Sequence, residues 1–228
     1  MDMIQVYRQE IKYQASVLEF KKIEHQLRAC MLEDPPNGKN GGYTVRSLYF
    51  DSPYEQDRLA VLRGGEKRHK IRLRIYDPED TQVKLELKAK EGTVQKKSSV
   101  LLTRDQAKEI MAGDFTLLRH MDSPIAQHIY LVMQEGQYRP RVLMEYDRTA
   151  YYLPSRETRV TFDYNARASR LNLDLFAEDI CFTPLRPASI GVVEVKFDGY
   201  LYSYIKNIVS GLDRLPSSNG KYLFACNL

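Results

Sequence analysis

The sequence predicts an α+β protein dominated by antiparallel sheet, and two patterns carry that expectation: runs of period two recur along the chain, and helix-start signals stand between them. The 228 residues, 43% hydrophobic and 28% charged, are enough to bury a proper core. A sheet of about eight or nine strands often curls or closes. The expected form is therefore a closed antiparallel β-barrel of about eight strands with helices packed outside. Residues 1–228 read as a single domain, because the turn-rich stretch 34–42 is too short to divide the chain.

The elements follow in order. Tyr7–Tyr13 alternates as a first strand. Ser16 with Glu19 forms a capping box, opening a helix whose Leu18, Ile23, Leu27 and Met31 are spaced for a buried face. Tyr43–Phe50 is a strand running into Ser52 and Pro53, which start a helix that Gly64 can end; Asp51 reads as a turn or capping residue. Lys67–Tyr76, Gln82–Lys90 and Val94–Leu102 are strands, followed by a helix from Thr103 to Gly113 and another from Ser123 to Gly136. Strands are expected at Arg139–Arg148, Thr158–Tyr164, Ile190–Phe197 and Tyr222–Ala225, with a helix over 200–212 before the last.

Composition excludes several classes. No stretch approaches the roughly 18 apolar residues of a spanning helix, and no basic-then-apolar leader is visible at Met1–Gln5. Cys30, Cys181 and Cys226 are odd in number and widely spaced, so they read as reduced thiols of a cytoplasmic protein. The balance of 34 basic against 30 acidic residues is only +4 and points to no partner by itself.

Charge placement is more informative. Lys70, Arg72, Arg74 and Tyr76 share one strand face, and Ile71, Leu73 and Ile75 the other. Lys84, Glu86, Lys88 and Lys90 oppose Val83, Leu85, Leu87 and Ala89. Arg8, Glu10 and Lys12 alternate in the first strand, and Glu194 with Lys196 near the end. An amphipathic strand ordinarily turns such charges to water, and Glu194 with Lys196 could be a surface ion-pair set. Four strands of this kind crowd like charges together, which is easier to explain if a polyanion lies against them. If the sheet closes with its apolar face outward, the lumen is a polar tunnel lined by Lys and Arg. Arginine grips phosphate bidentately and lysine supplies a movable point charge. Mg²⁺ takes one or two carboxylates plus phosphate oxygens, so carboxylates among these cations suggest a metal–polyphosphate site. Nucleic acid is disfavoured, since it ordinarily wants an exposed patch with stacking aromatics. His69 has no spaced partner and reads as a surface histidine.

At these residues the chain resembles the VTC (vacuolar transporter chaperone) polyphosphate polymerase domain, a branch of the triphosphate tunnel metalloenzymes. The likeness runs through Arg8-x-Glu10-x-Lys12, Arg46 to Asp51, Lys70-x-Arg72-x-Arg74-x-Tyr76, Glu86-x-Lys88, Lys96-Lys97, Tyr146 to Thr149, Arg159, Val193 to Lys196 and Lys221-Tyr222. The resemblance implies the triphosphate tunnel fold. It also implies Mn²⁺ or Mg²⁺ as cofactor, ATP or another triphosphate as substrate, and transfer of the γ-phosphate onto polyphosphate. By resemblance, Lys12, Arg72, Arg74, Lys88, Lys97, Arg148, Arg159 and Lys221 hold phosphates, with Arg46, Lys70 and Lys196 joining them. Glu194 is the implied principal metal ligand, with Glu10, Glu86 and Glu145 as further candidates. Arg72, Arg74, Arg148 and Arg159 would stabilise charge on the transferred phosphoryl group, while Lys12 and Lys88 orient the attacking chain end. A separate membrane protein is an implied partner, placing the domain at the inner face of a membrane.

Two positions depart from the family pattern. Related triphosphatases begin Glu-x-Glu-x-Lys, and here Arg8 replaces the first glutamate, favouring a longer polyanion over hydrolysis. The ending Ser217 to Lys221 lacks a companion lysine. Three functions follow: a polyphosphate polymerase, a metal-dependent triphosphatase in the same tunnel, or a polyanion-binding module without catalysis.

Overall fold

Ser16 ends the first strand and starts the first helix. Its hydroxyl accepts from the Glu19 amide at 3.1 Å, and the Glu19 carboxylate accepts from the Ser16 amide at 2.6 Å. The expected capping box is present. The computed structural model describes residues 8–35, 41–92, 94–154, 157–212 and 221–226. Chain contacts group these residues into two compact units, each with its own core.

The first unit comprises the described residues within Met1–Thr44, Tyr146–Ala166 and Pro184–Gly220. Strand β1 (Arg8–Ser16) leads into α1 (Val17–Cys30) and the short β2 (Leu32–Glu33). β1 pairs antiparallel with β10 (Ile190–Asp198), which pairs with β8 (Thr158–Ser169); β2 pairs with β7 (Arg139–Leu153). The apolar face of these strands meets α1 and α6 (Ser203–Ser210) in a core of Phe20, Ile23, Leu27, Phe162, Val195 and Ile205. Phe20 and Phe162 stack with centroids 4.3 Å apart. Leu18, expected in the buried face, is 75% exposed. It lies five residues before Ile23, about 140° around the helix from the buried stripe.

The second unit comprises the described residues within Val45–Glu145, Arg167–Thr183 and Lys221–Leu228. Here β3 (Tyr43–Asp51), β4 (Lys67–Ile75), β5 (Gln82–Glu91) and β6 (Val94–Thr103) pair in succession, all antiparallel. Their alternation does what the sequence predicts: Ile71, Leu73, Ile75, Val83, Leu85 and Leu87 are buried together on one face. Helices α3 (Arg104–Ala112), α4 (Thr116–His120) and α5 (Pro124–Glu135) contribute Ile110, Leu118, Ile129 and Met133 to the same core. Thr103 and Gln106 form the second capping box, and Gly113 ends α3 at φ 93°, where a side chain would be strained.

Three expectations need correction. First, the strands form a ten-stranded sheet with the path β1-β10-β8-β7-β3-β4-β5-β6, β2 on β7 and β9 (Thr183–Pro184) on β8. β1 and β6 end that path, so the sheet is not the closed barrel of about eight strands. Alternation fixes which face of a strand is apolar, but it does not make the first strand pair with the last. Second, α2 (Gln56–Leu62) starts after Glu55, which is left-handed at φ 53°. Asp51 rather than Ser52 takes the amides of Asp57 and Arg58, both at 3.0 Å, fulfilling its expected capping role. Third, Tyr222–Ala225 lies in helix α7 (Lys221–Cys226), not a strand. Its Tyr222 is buried, with the hydroxyl donating to Asp51 at 2.8 Å.

Candidate functional site

The face opposite the second unit's core carries charge in register. Lys70 lies opposite Lys88, which lies opposite Lys97, a cross-strand row of three lysines. In the next row Tyr49 faces Arg72, which faces Glu86; in the one after, Ser47 faces Arg74, which faces Lys84. Arg72 donates from Nε to Glu86 at 2.7 Å and from Nη1 to the Tyr49 hydroxyl at 2.8 Å. Lys97 Nζ stands 2.5 Å from the other Glu86 oxygen, and Arg74 Nη2 lies 3.6 Å from the first. Glu86 is only 1% exposed. Burial alone would raise its pKa, but Arg72, Arg74 and Lys97 outweigh that and hold it down at about 2. Its carboxylate stays ionised well below the usual carboxylate range, and three cations converge on it. The Nε of Arg74 and the hydroxyl of Ser47 are buried with no hydrogen-bond partner among the described residues.

Helix α7 touches this face through Tyr222, whose ring lies 5.0 Å from that of Tyr49 and 5.7 Å from the ammonium of Lys70. Burial opposes ionisation of Tyr49, yet Arg72, Arg74 and Lys70 bring its pKa below the usual value. Its hydroxyl therefore sits in a strongly positive field.

The first unit holds a second charged face. Across β1, β10 and β8, Glu10 faces Lys196, which faces Arg159; Lys12 faces Glu194, which faces Thr161. Lys12 pairs with both Glu10 and Glu194, at 3.4 Å from the latter. Lys196 likewise pairs with Glu194 and reaches Glu10 at 3.8 Å. Burial would lower the Lys12 pKa, but the two carboxylates raise it. Arg148 on β7 makes a fork to Asp163 on β8 at 2.6 and 2.8 Å. Burial opposes its charge, but Tyr146 and Asp163 keep its pKa well above the usual value. Arg159 pairs with Asp34 and donates to the Tyr43 hydroxyl at 3.1 Å, while its Nε is buried without a hydrogen-bond partner among the described residues.

The structure therefore brings Arg72, Arg74 and Lys97 onto Glu86, with Lys70 and Lys88 in the row of Lys97, and Lys12 and Lys196 around Glu10 and Glu194. Arg46 and Glu145 stand apart from both groups in their contacts. Arg46 donates to Glu145 at 2.6 Å and to the carbonyls of Leu175 and Ala177 at 3.3 and 2.5 Å, and Arg167 closes on the other Glu145 oxygen. These contacts clamp a loop and occupy the Nε and Nη1 of Arg46. The side chains of Lys221 and Arg8 lie outside the described residues. His69 is half-buried beside Asp57, and burial lowers its pKa. Sequence reasoning missed Tyr49, Ser47, Asp34 and Asp163. Asp163 alternates with Arg159 and Thr161 and could have been found on that ground; Asp34 lies in a turn-rich stretch and gave no such signal.

Among the described residues, no group of three or more His, Cys, Asp or Glu could hold a metal unaided. Of the four glutamates expected to bind metal, Glu86 is enclosed by guanidinium and ammonium groups and Glu145 by two guanidiniums. Glu10 and Glu194 share their two lysines and supply hard oxygens. A pair of carboxylates fits a Mg²⁺ or Mn²⁺ ion that takes its other ligands from phosphate and water.

A family model decides the kinship: the VTC domain matches residues 2–228. The chain belongs to the VTC domain family. No curated protein matches this VTC domain by sequence. Among solved structures it is similar to a Bacillus halodurans protein provisionally described as an adenylate cyclase. That match has 15% identity and a TM-score of 0.53, covering 93% of this chain and 95% of the other. A Hippeastrum protein, provisionally described as an adenylyl cyclase with a dominant triphosphatase activity, matches at 14% identity and a TM-score of 0.52. There 89% of the VTC domain and 84% of the other chain are covered. At such identities the likeness shows a shared fold. Among the described residues of the VTC domain, no helix is long and apolar enough to cross a membrane.

Proposed function

We propose that this VTC domain is a polyphosphate polymerase, transferring the γ-phosphoryl group of ATP to the end of a polyphosphate chain. The supporting observation is the lysine row Lys70–Lys88–Lys97 beside Arg72 and Arg74, with Glu86 the carboxylate set among them. Like charges aligned across strands are unfavourable unless an anion lies against them. A terminal oxygen of the chain attacks the γ-phosphorus, the bond to the β,γ-bridging oxygen breaks, and ADP leaves with its electron pair. The attacking oxygen is already ionised, so no strong general base is needed. Phosphoryl transfer is chiefly positioning and charge stabilisation. Within the second unit Arg72 and Arg74 hold phosphate oxygens and Lys88 orients a chain end; within the first, Lys12 orients a chain end and Arg148 and Arg159 add positive field. Mn²⁺ or Mg²⁺ on Glu194 and Glu10 would neutralise phosphate charge. Transfer of the product to a separate membrane protein at the inner face of a membrane belongs to the same proposal.

A triphosphatase is the second reading, favoured by the description of the Hippeastrum protein. Arg8, standing where related triphosphatases carry a glutamate, speaks against it. Glu194→Gln separates an enzyme from a binding module. Under the proposed function it abolishes ATP turnover while tripolyphosphate still binds. Unchanged turnover would contradict the metal-dependent mechanism.

A further inference from the structure

Glu10 and Glu194 are each paired with both Lys12 and Lys196. The quartet is electroneutral as it stands, with two carboxylates and two ammonium groups. Glu194 is nearly buried, with 9% of its side chain exposed, whereas 27% of Lys12 and 41% of Lys196 are exposed. A divalent cation approaching the carboxylates would meet two ammonium groups already in place, so it must displace them or bear their repulsion. Lysine is a flexible point charge that can swing to a new anion without losing its charge. A phosphate chain arriving at the same face offers the lysines such an anion.

We infer that Lys12 and Lys196 are built-in counter-cations that keep divalent metal off Glu10 and Glu194 until a phosphate chain draws them away. This rests on the reading of those carboxylates as the metal-holding pair. It adds a regulatory consequence: the bare domain has low affinity for metal, and metal and phosphate chain are taken up together. The domain thereby stays largely metal-free, with its carboxylates neutralised, when no substrate is present.

The test titrates Mn²⁺ alone into the purified protein, following the electron paramagnetic resonance signal of the free ion, with no phosphate present. Lys196→Gln should bind Mn²⁺ about tenfold more tightly than wild type or better, since one competing charge beside the pair is gone. Lys196→Arg keeps the charge and should remain as weak as wild type. The gain should vanish in the Glu194→Gln, Lys196→Gln double variant. Lys12→Gln provides an independent second variant with the same expected gain. Affinities within twofold of wild type for both Lys→Gln variants, or a gain that survives Glu194→Gln, would overturn the inference. Tripolyphosphate binding in the presence of EDTA is measured separately. Its absence would sink the proposed function, while leaving the Mn²⁺ comparison readable.

Discussion

Arg72 and Glu86 sit opposite each other on β4 and β5, with Nε 2.7 Å from the carboxylate oxygen. That pair organises the cationic face, because Arg74 and Lys97 converge on the same carboxylate. Removing the partner of buried charges typically costs about 3–5 kcal/mol. Glu86→Gln is expected to destabilise the protein by roughly that amount in urea denaturation. The sign of its pH dependence follows from a folded-state value near 2, below the ordinary 4.5. Its contribution is complete above the ordinary value and is lost as pH falls towards the folded one. Glu86→Gln should therefore flatten the acid limb of the stability profile, and an unchanged limb would contradict this assignment.

Asp57 has the opposite sign. Burial, with a push from Asp51, raises its carboxyl from 3.8 to about 6, despite the Tyr138 hydroxyl donating at 2.6 Å. Between those values the folded protein retains a proton that the unfolded chain has released, so stability falls as pH rises through that window. Asp57→Asn should remove this fall. Wild-type and variant unfolding free energies compared across the window check it; parallel profiles would contradict it.

Among the described residues, the buried Nε of Arg74 and the hydroxyl of Ser47 opposite it have no hydrogen-bond partner. Arg74→Ala should weaken tripolyphosphate binding by about tenfold to a hundredfold, the worth of a hydrogen bond to a charged group. Stability should fall as well, because Arg74 also neutralises the buried Glu86 carboxylate. Calorimetric titration and thermal unfolding on the same sample check both halves; undiminished affinity would show that Arg74 does not hold phosphate.

Arg148→Lys keeps the charge but loses the two parallel bonds to Asp163. A stability loss of about 2 kcal/mol is expected. Chemical denaturation that leaves the midpoint unmoved would show that the fork is not structural.

Much of this was legible in the sequence because period-two alternation is a local property. Residues 70–76 and 84–90 show their charged and apolar faces without any structure, and the Ser16 and Thr103 capping boxes announce their helices. Membership in the VTC domain family was legible too, in short charged segments spread along the chain. What escaped depends on partners distant in sequence. Arg46 reads as a phosphate ligand until Glu145 and two loop carbonyls occupy it. The run Tyr222 to Ala225 is short and wholly apolar, so its pattern does not separate strand from helix, and it forms a helix that docks Tyr222 onto Asp51 and Tyr49. Barrel closure depends on pairing between the outermost strands, and no local pattern encodes it.

The most direct test of the central claim is to incubate the purified protein with ATP and Mn²⁺ and resolve ADP, free phosphate and chain length. The account predicts ADP in step with a lengthening polyphosphate ladder. Free phosphate without any polymer would contradict it and make the domain a triphosphatase.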